Sequence, residues 1–182
     1  MEIARFLVLV LAACVYLAAG RKLAYRKLDG GDEKMELKLA GVCDIEAWMK
    51  LVERVKDSFP GLETKEAMEA HRDTVLEFIR HGSAICAKIG DSVVGALLFS
   101  RENGMLCFLA VDEPYRRQHI AEKMVAYMLS FMESRKDIVV TTYREDAPEG
   151  KAARAFYKRL GFAEGRLTEE FGSPVQEFIW KR

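Results

Sequence analysis

From Met35 onward, the spacing of apolar and polar residues changes period several times along the chain. Glu36 to Leu39 alternates in side-chain character and begins a strand. Trp48, Leu51, Val52 and Val55 recur on one helical stripe, which predicts a helix over 45–55 that Asp44 can cap and Phe59-Pro60-Gly61 stops. A second helix over 65–80 carries Met68, Val75, Phe78 and Ile79 inward. Three apolar runs follow, at 83–89, 92–100 and 105–111. The turns between them, Gly90-Asp91 and Glu102-Asn103-Gly104, make a strand meander. The next helix spans 120–134, with Met124, Val125, Met128, Leu129 and Met132 as its apolar face; such methionines are core filler. A β-branched strand at 137–142 precedes a helix at 151–160 that ends on Gly161, a suitable left-handed cap. Two final strands, 162–168 and 175–180, enclose Gly172-Ser173-Pro174. The order β-α-α-β-β-β-α-β-α-β-β implies one α/β domain over 35–182, a mixed sheet with helices on both faces.

Residues 1–34 read differently. Phe6 to Gly20 is apolar and uncharged, between Arg5 and the cluster Arg21, Lys22, Arg26, Lys27. A membrane span takes about 20 apolar residues, so this run would span only with thinning or snorkelling of its flanks. The heavier positive charge on its C-terminal side would leave the main domain in the cytoplasm. A signal peptide would carry its basic residues first, and too little precedes Leu11-Ala12-Ala13-Cys14 for a lipoprotein box. Met35 stands directly before the first strand, so two readings stay open: a short hydrophobic anchor, or an extension absent from the native protein.

The 182 residues suffice for one domain with a sizeable core. Lys and Arg number 28 and Asp and Glu 28, which gives no broad attraction to nucleic acid, so any anion site must be local. Cys14, Cys43, Cys86 and Cys107 are scattered, which argues against a metal site or a disulfide framework and fits a reducing, cytoplasmic compartment. Cys86 and Cys107 lie in strand-like runs and read as buried thiols.

The stretch that carries chemistry runs from Ala110 through Pro114, Tyr115, Arg116, Arg117, Gln118, His119 and Ile120 to Ala121. A strand ends, proline stiffens the turn, and a helix starts within a few residues. The first N–H groups of that helix lack internal partners and the helix dipole adds positive potential, so a diphosphate fits there, with Arg116 and Arg117 as charged donors. An ordinary strand-to-helix turn with two solvated arginines explains the same residues equally well.

This stretch resembles the acetyl-CoA-binding motif of the GNAT N-acetyltransferase superfamily, Gln/Arg-x-x-Gly-x-Gly/Ala, with Arg116 first, His119 in the glycine position and Ala121 last. The run Ala153-Arg154-Ala155-Phe156-Tyr157-Lys158-Arg159-Leu160-Gly161-Phe162 resembles the family's late helix and its Tyr-x-x-Leu-Gly-Phe signature. The resemblance implies a mostly antiparallel sheet of about seven strands, splayed between the fourth and fifth. It also implies acetyl-CoA as cosubstrate, bound by Leu109, Ala110, Val111, Arg116, Arg117, Gln118, His119, Ile120, Ala121 and Tyr157, with no metal. The acceptor amine would attack the thioester directly, the Val111 N–H would hold the oxyanion, and Tyr157 would protonate the departing thiolate. Two positions depart from the family pattern: His119 for glycine, and Gly150 where many members carry an asparagine that contacts the pantetheine arm. At His119 we expect a helix-start conformation that histidine tolerates.

Residue reading alone leaves the other roles open. Tyr157 reads also as an aromatic packed on the sheet. The base could be Glu63, Glu102, Glu170 or Glu177, each equally readable as a surface carboxylate; His71 and His81 read as solvated or capping. The acceptor, a small-molecule or peptide amine, would meet Phe59–Glu63 and Glu169–Ser173. Membrane contact through residues 6–20 and a homodimer stay open as further partners. The competing functional class is a non-catalytic CoA-binding sensor or interaction module; a nucleotide-binding module lacks its phosphate loop.

Overall fold

The meander and the two later strand segments join into one seven-stranded sheet. In the computed structural model, which describes residues 34–59, 61–170 and 172–182, its strands are β1 (Glu36–Leu39), β2 (Ala84–Ile89), β3 (Ser92–Ser100), β4 (Met105–Val111), β5 (Ile138–Tyr143), β6 (Ala163–Glu170) and β7 (Ser173–Trp180). Their order is β1-β2-β3-β4-β5-β7-β6, antiparallel throughout except for the parallel neighbours β4 and β5. Four helices complete the fold: α1 (Ile45–Val55), α2 (Lys65–Arg80), α3 (Ile120–Leu129) and α4 (Lys151–Arg159). The fold class and element order are those the sequence implied. The notional anchor or extension, Phe6 to Gly20 included, lies outside the described residues.

Two apolar layers cover the sheet. On one face α1 and α2 bring Trp48, Leu51, Val52, Val55 and Val75 against Ala84, Cys86, Val93, Ala96, Leu98, Phe108 and Ala110. On the other, α3 and α4 bring Ile120, Met124, Met128, Phe156 and Tyr157 against Ile85, Leu97, Leu109, Val111, Val140 and Phe178. Burial of this apolar surface is the main term holding the layers together, at about 25 cal/mol per Å².

The feature that matters for a site is the junction of β4 and β5. They share a single register pair, Met105 with Val139, beside a bond from the Val139 N–H to the Gly104 carbonyl (2.8 Å), and then part. Gly104 permits this close start: φ is +61°, and a Cβ there would stand 2.5 Å from the Asp137 carbonyl. Beyond that corner the sheet is open between its fourth and fifth strands.

Several local expectations change. Asp44 does not cap α1 with its side chain. A 3-10 turn (Val42–Asp44) leads directly into the helix and holds Asp44 in right-handed geometry, whereas a capping side chain needs an extended backbone. Its carboxylate instead takes the Gly41 N–H (2.9 Å) and the ammonium groups of Lys38 (2.8 Å) and Lys88 (2.9 Å). Thr64 caps α2 through Oγ1 and the Ala67 N–H (3.1 Å). Helix α3 stops at Leu129, not Ser134: the Ser130 N–H closes back on the Tyr127 carbonyl, and Arg182 donates to the carbonyls of Leu129, Met132 and Glu133.

Candidate active site at the open junction of the sheet

The loop from β4 to α3 is built by three local devices. Asp112, buried at the strand end, is held by the Arg54 guanidinium of α1 (Nε to Oδ2, 3.0 Å). A 3-10 turn (Glu113–Tyr115) containing Pro114 reverses the chain. Arg117 and His119 then take left-handed conformations, with φ of +61° and +59°, the only non-glycine residues to do so among those described. His119 therefore adopts the geometry that favours glycine, one that histidine visits more readily than bulky or β-branched residues do. The helix-start conformation expected at His119 gives way to a left-handed one, which histidine still tolerates.

The first backbone bond of α3 runs from the Lys123 N–H to the His119 carbonyl (3.1 Å), so the N–H groups of Ile120, Ala121 and Glu122 have no carbonyl of the helix to reach. Arg117, Gln118 and His119 are exposed around them. Arg116 turns back, donating from Nε to the Val111 carbonyl (3.0 Å). Glu122 places a carboxylate in the same turn, hydrogen-bonded to His119 Nδ1 (2.6 Å) and paired with Arg159 (2.7 Å); these contacts hold its carboxyl below the usual range. The pair Glu122–Arg159 also ties α3 to α4.

The ladder orientation bears on Val111. The Asp112 N–H donates to the Val94 carbonyl (2.9 Å), and antiparallel strands alternate the side to which they bond. The N–H of Val111 therefore points away from β3, toward the side where β5 has parted. Leu109 and Ala110 are buried in the strand behind it.

Tyr157 is wholly buried, 0% exposed, its ring against Phe156, Phe162 and Phe178 at 5.4–5.9 Å. Arg154, one turn earlier and unforeseen in the sequence reading, fixes α4: it donates to Gln176 Oε1 (2.6 Å), the Tyr143 carbonyl (3.3 Å) and Glu164 Oε1 (2.5 Å). Gly150 explains its own departure from the family pattern. A Cβ there would stand 2.6 Å from Tyr143 Cβ, so no side chain fits. Gly161 takes φ +89°, the left-handed cap foreseen.

Of the four candidate bases, Glu63 is exposed and accepts from the Gly61 N–H (2.9 Å), Glu102 is exposed at the β3–β4 turn, and Glu177 is held by Arg166 (2.8 Å). Glu170 differs: half-buried, it accepts from Thr141 Oγ1 (3.0 Å) and has no cation partner among the described residues. Burial raises its carboxyl above the usual range, the Thr141 bond opposes this, and Glu177 adds to it. His81 accepts the capping part of its reading, with Nδ1 at the Glu77 carbonyl (2.8 Å). His71 does not: it is 1% exposed, one turn before Val75 on the inner stripe of α2, with its ring 5.2 Å from Phe108 and no partner for either nitrogen. Burial lowers it to about 4. The i, i+4 spacing of His71 and Val75 was the available signal.

Cys86 and Cys107 are buried and free, each pushed up to about 12, mainly by burial. No group of three or more His, Cys, Asp or Glu residues could hold a metal ion among the described residues. Nor is any helix there long and apolar enough to cross a membrane.

Residues 48–162 match the model of the Acetyltransferase (GNAT) family. No curated protein matches the chain. Among solved structures, a GNAT-family acetyltransferase of Bacillus cereus ATCC 10987 is similar at 18% identity and TM-score 0.64, over 82% of this chain and 98% of that one. Ard1 of Thermoplasma volcanium is similar at 20% identity and TM-score 0.62, over 81% and 97%. The PaiA N-acetyltransferase of Thermoplasma acidophilum, in complex with coenzyme A, is similar at 14% and 0.60, over 81% and 99%. At these identities the likeness speaks for the fold.

Proposed function

Because the chain belongs to the GNAT acetyltransferase family, we propose that it transfers an acetyl group from acetyl-CoA directly to a primary amine. The observation that carries this reading is the loop before α3, where unpaired helix N–H groups, exposed Arg117 and two left-handed residues meet the open end of β4. A diphosphate docked there sends the rest of the cofactor toward the gap between β4 and β5. Leu109, Ala110, Val111 and Arg116 to Ala121 are the residues this reading gives to the cofactor.

In the reaction the amine nitrogen adds to the thioester carbonyl, and the Val111 N–H, facing the gap, donates to the oxyanion. Tyr157 gives the thiolate its proton. A phenol holds its proton at neutral pH when unperturbed, so it has one to give.

A thiol-release assay with acetyl-CoA against polyamines, aminoglycosides, amino acids and peptides tests the proposal. Free CoA should appear with at least one acceptor. Tyr157→Phe should then lower kcat by about 10²-fold or more while CoA binding by calorimetry stays within about two-fold. The complete burial of Tyr157 favours one competing reading, a CoA-binding module without catalysis. Tight CoA binding with no thiol released from any acceptor would establish that reading instead.

A further inference from the structure

The gap between β4 and β5 separates two strands whose side chains face different layers on the two sides of the sheet. The α3–α4 face carries the anion loop and Tyr157. On β5, Val140 packs into that face, so by strand alternation Thr141 points to the opposite one, the side of α1 and α2. On β4, Cys107 belongs to that same side. Glu170, the last residue of β6, reaches back to accept from Thr141 Oγ1 (3.0 Å). A half-buried carboxylate with a neutral hydroxyl as its hydrogen-bond partner thus stands beside the gap, opposite the cofactor face. Its neighbour Glu177 is already paired with Arg166.

We propose that Glu170 receives the acceptor as a protonated primary amine on the α1–α2 side of the gap and takes the proton that frees the nitrogen to attack. This assignment rests on the amine-acetylating reading above. The ammonium gives one proton to Glu170. The free amine forms the C–N bond, the C–S bond breaks, and Tyr157 protonates the sulfur. The second proton lost by nitrogen replaces the one Tyr157 gave, and Glu170 releases its proton to solvent.

The test pairs Glu170→Gln with wild type in the full chain, on two readouts. In turnover, the variant should lose about 10²-fold or more in kcat, with CoA binding within about two-fold of wild type. Glu170→Asp should recover part of the loss. The wild-type fall in kcat/KM on the acid side should disappear in Glu170→Gln. The titratable groups facing the carboxylate, Glu177 and Cys107, remain in that variant; the Cys107 thiol, pushed up to about 12, stays protonated on the acid side, and an acid limb that persists counts against Glu170.

The second readout needs no turnover. Carboxyl 13C NMR of the CoA-loaded protein, with the Glu170 signal assigned by its loss in Glu170→Gln, should show that signal shifting as propylamine is added. An unmoved signal overturns the proposal. Normal thiol release by Glu170→Gln overturns it too, and leaves acetyl transfer standing. A shifting signal without thiol release from any amine would keep Glu170 as an amine site and sink the acetyltransferase reading.

Discussion

Arg117 and His119 both hold left-handed backbone that costs an ordinary L-residue roughly 1–2 kcal/mol, so the loop stores strain that a glycine would relieve. His119→Gly should relieve that strain and forfeit the exposed contact with Glu122, which is worth little. Glycine's own entropic cost of roughly 0.5–1 kcal/mol offsets much of the gain. We expect the thermal midpoint to stay within a few degrees of wild type and CoA to bind no more weakly. A large loss of CoA affinity would mean that the imidazole is itself a ligand. At this scale the sequence was informative about residue type and poor on conformation. It located His119 at the glycine position, yet the left-handed turn at Arg117 has no mark in the local residue pattern. Gly150 is similar: only the approach of Tyr143 explains why it lacks a side chain.

Helices and strands were more legible, because amphipathic periodicity records which face is covered. Helix α1 and helix α2 run over the residues their stripes predicted. The ends were harder to read, since they depend on distant partners. Arg182 terminates α3 from the far end of the chain, and Asp44 serves β1 and β2 through Lys38 and Lys88 instead of capping its own helix. Asp44 therefore joins three elements. Burial acts to raise its carboxyl, but Lys38, the Gly41 N–H and Lys88 outweigh that and lower it to about 2 from 3.8. Its folded-state value is depressed, so its contribution of about 2 kcal/mol is present above pH 3.8 and lost as pH falls through 2. Asp44→Ala should cost about 2–3 kcal/mol at pH 7, read as a lower urea midpoint at unchanged slope.

For the molecule as a whole, His71 sets acid tolerance earlier in the pH scale. Its folded value is about 4 against 6.5 unfolded, so the neutral ring is favoured in the core, and stability is full above pH 6.5. It falls as protons bind preferentially to the unfolded chain, by about 3 kcal/mol on reaching pH 4. His71→Leu removes two unpartnered nitrogens and should raise stability at pH 7 by about 1 kcal/mol while flattening that slope between pH 6.5 and 4. Urea midpoints at pH 7 and pH 5 check both effects, and a less stable variant at pH 7 would show that the ring has a bound partner such as water. The i, i+4 spacing of His71 and Val75 hints at an inward ring, but its packing against Phe108 is set by the tertiary fold and not by local pattern.

The single rung between Met105 and Val139 has a different consequence. Backbone pairing is divided between two panels, β1–β4 and β5–β7, fastened at one corner, while the side-chain core on the α3–α4 face spans both. Widening the space behind the corner breaks no ladder bond, whereas separating the panels requires tearing that core apart. Yielding to a guest and losing the fold are therefore distinct events with distinct costs. A chain of this size can admit a molecule into the middle of its own sheet and still close around it as the same structure.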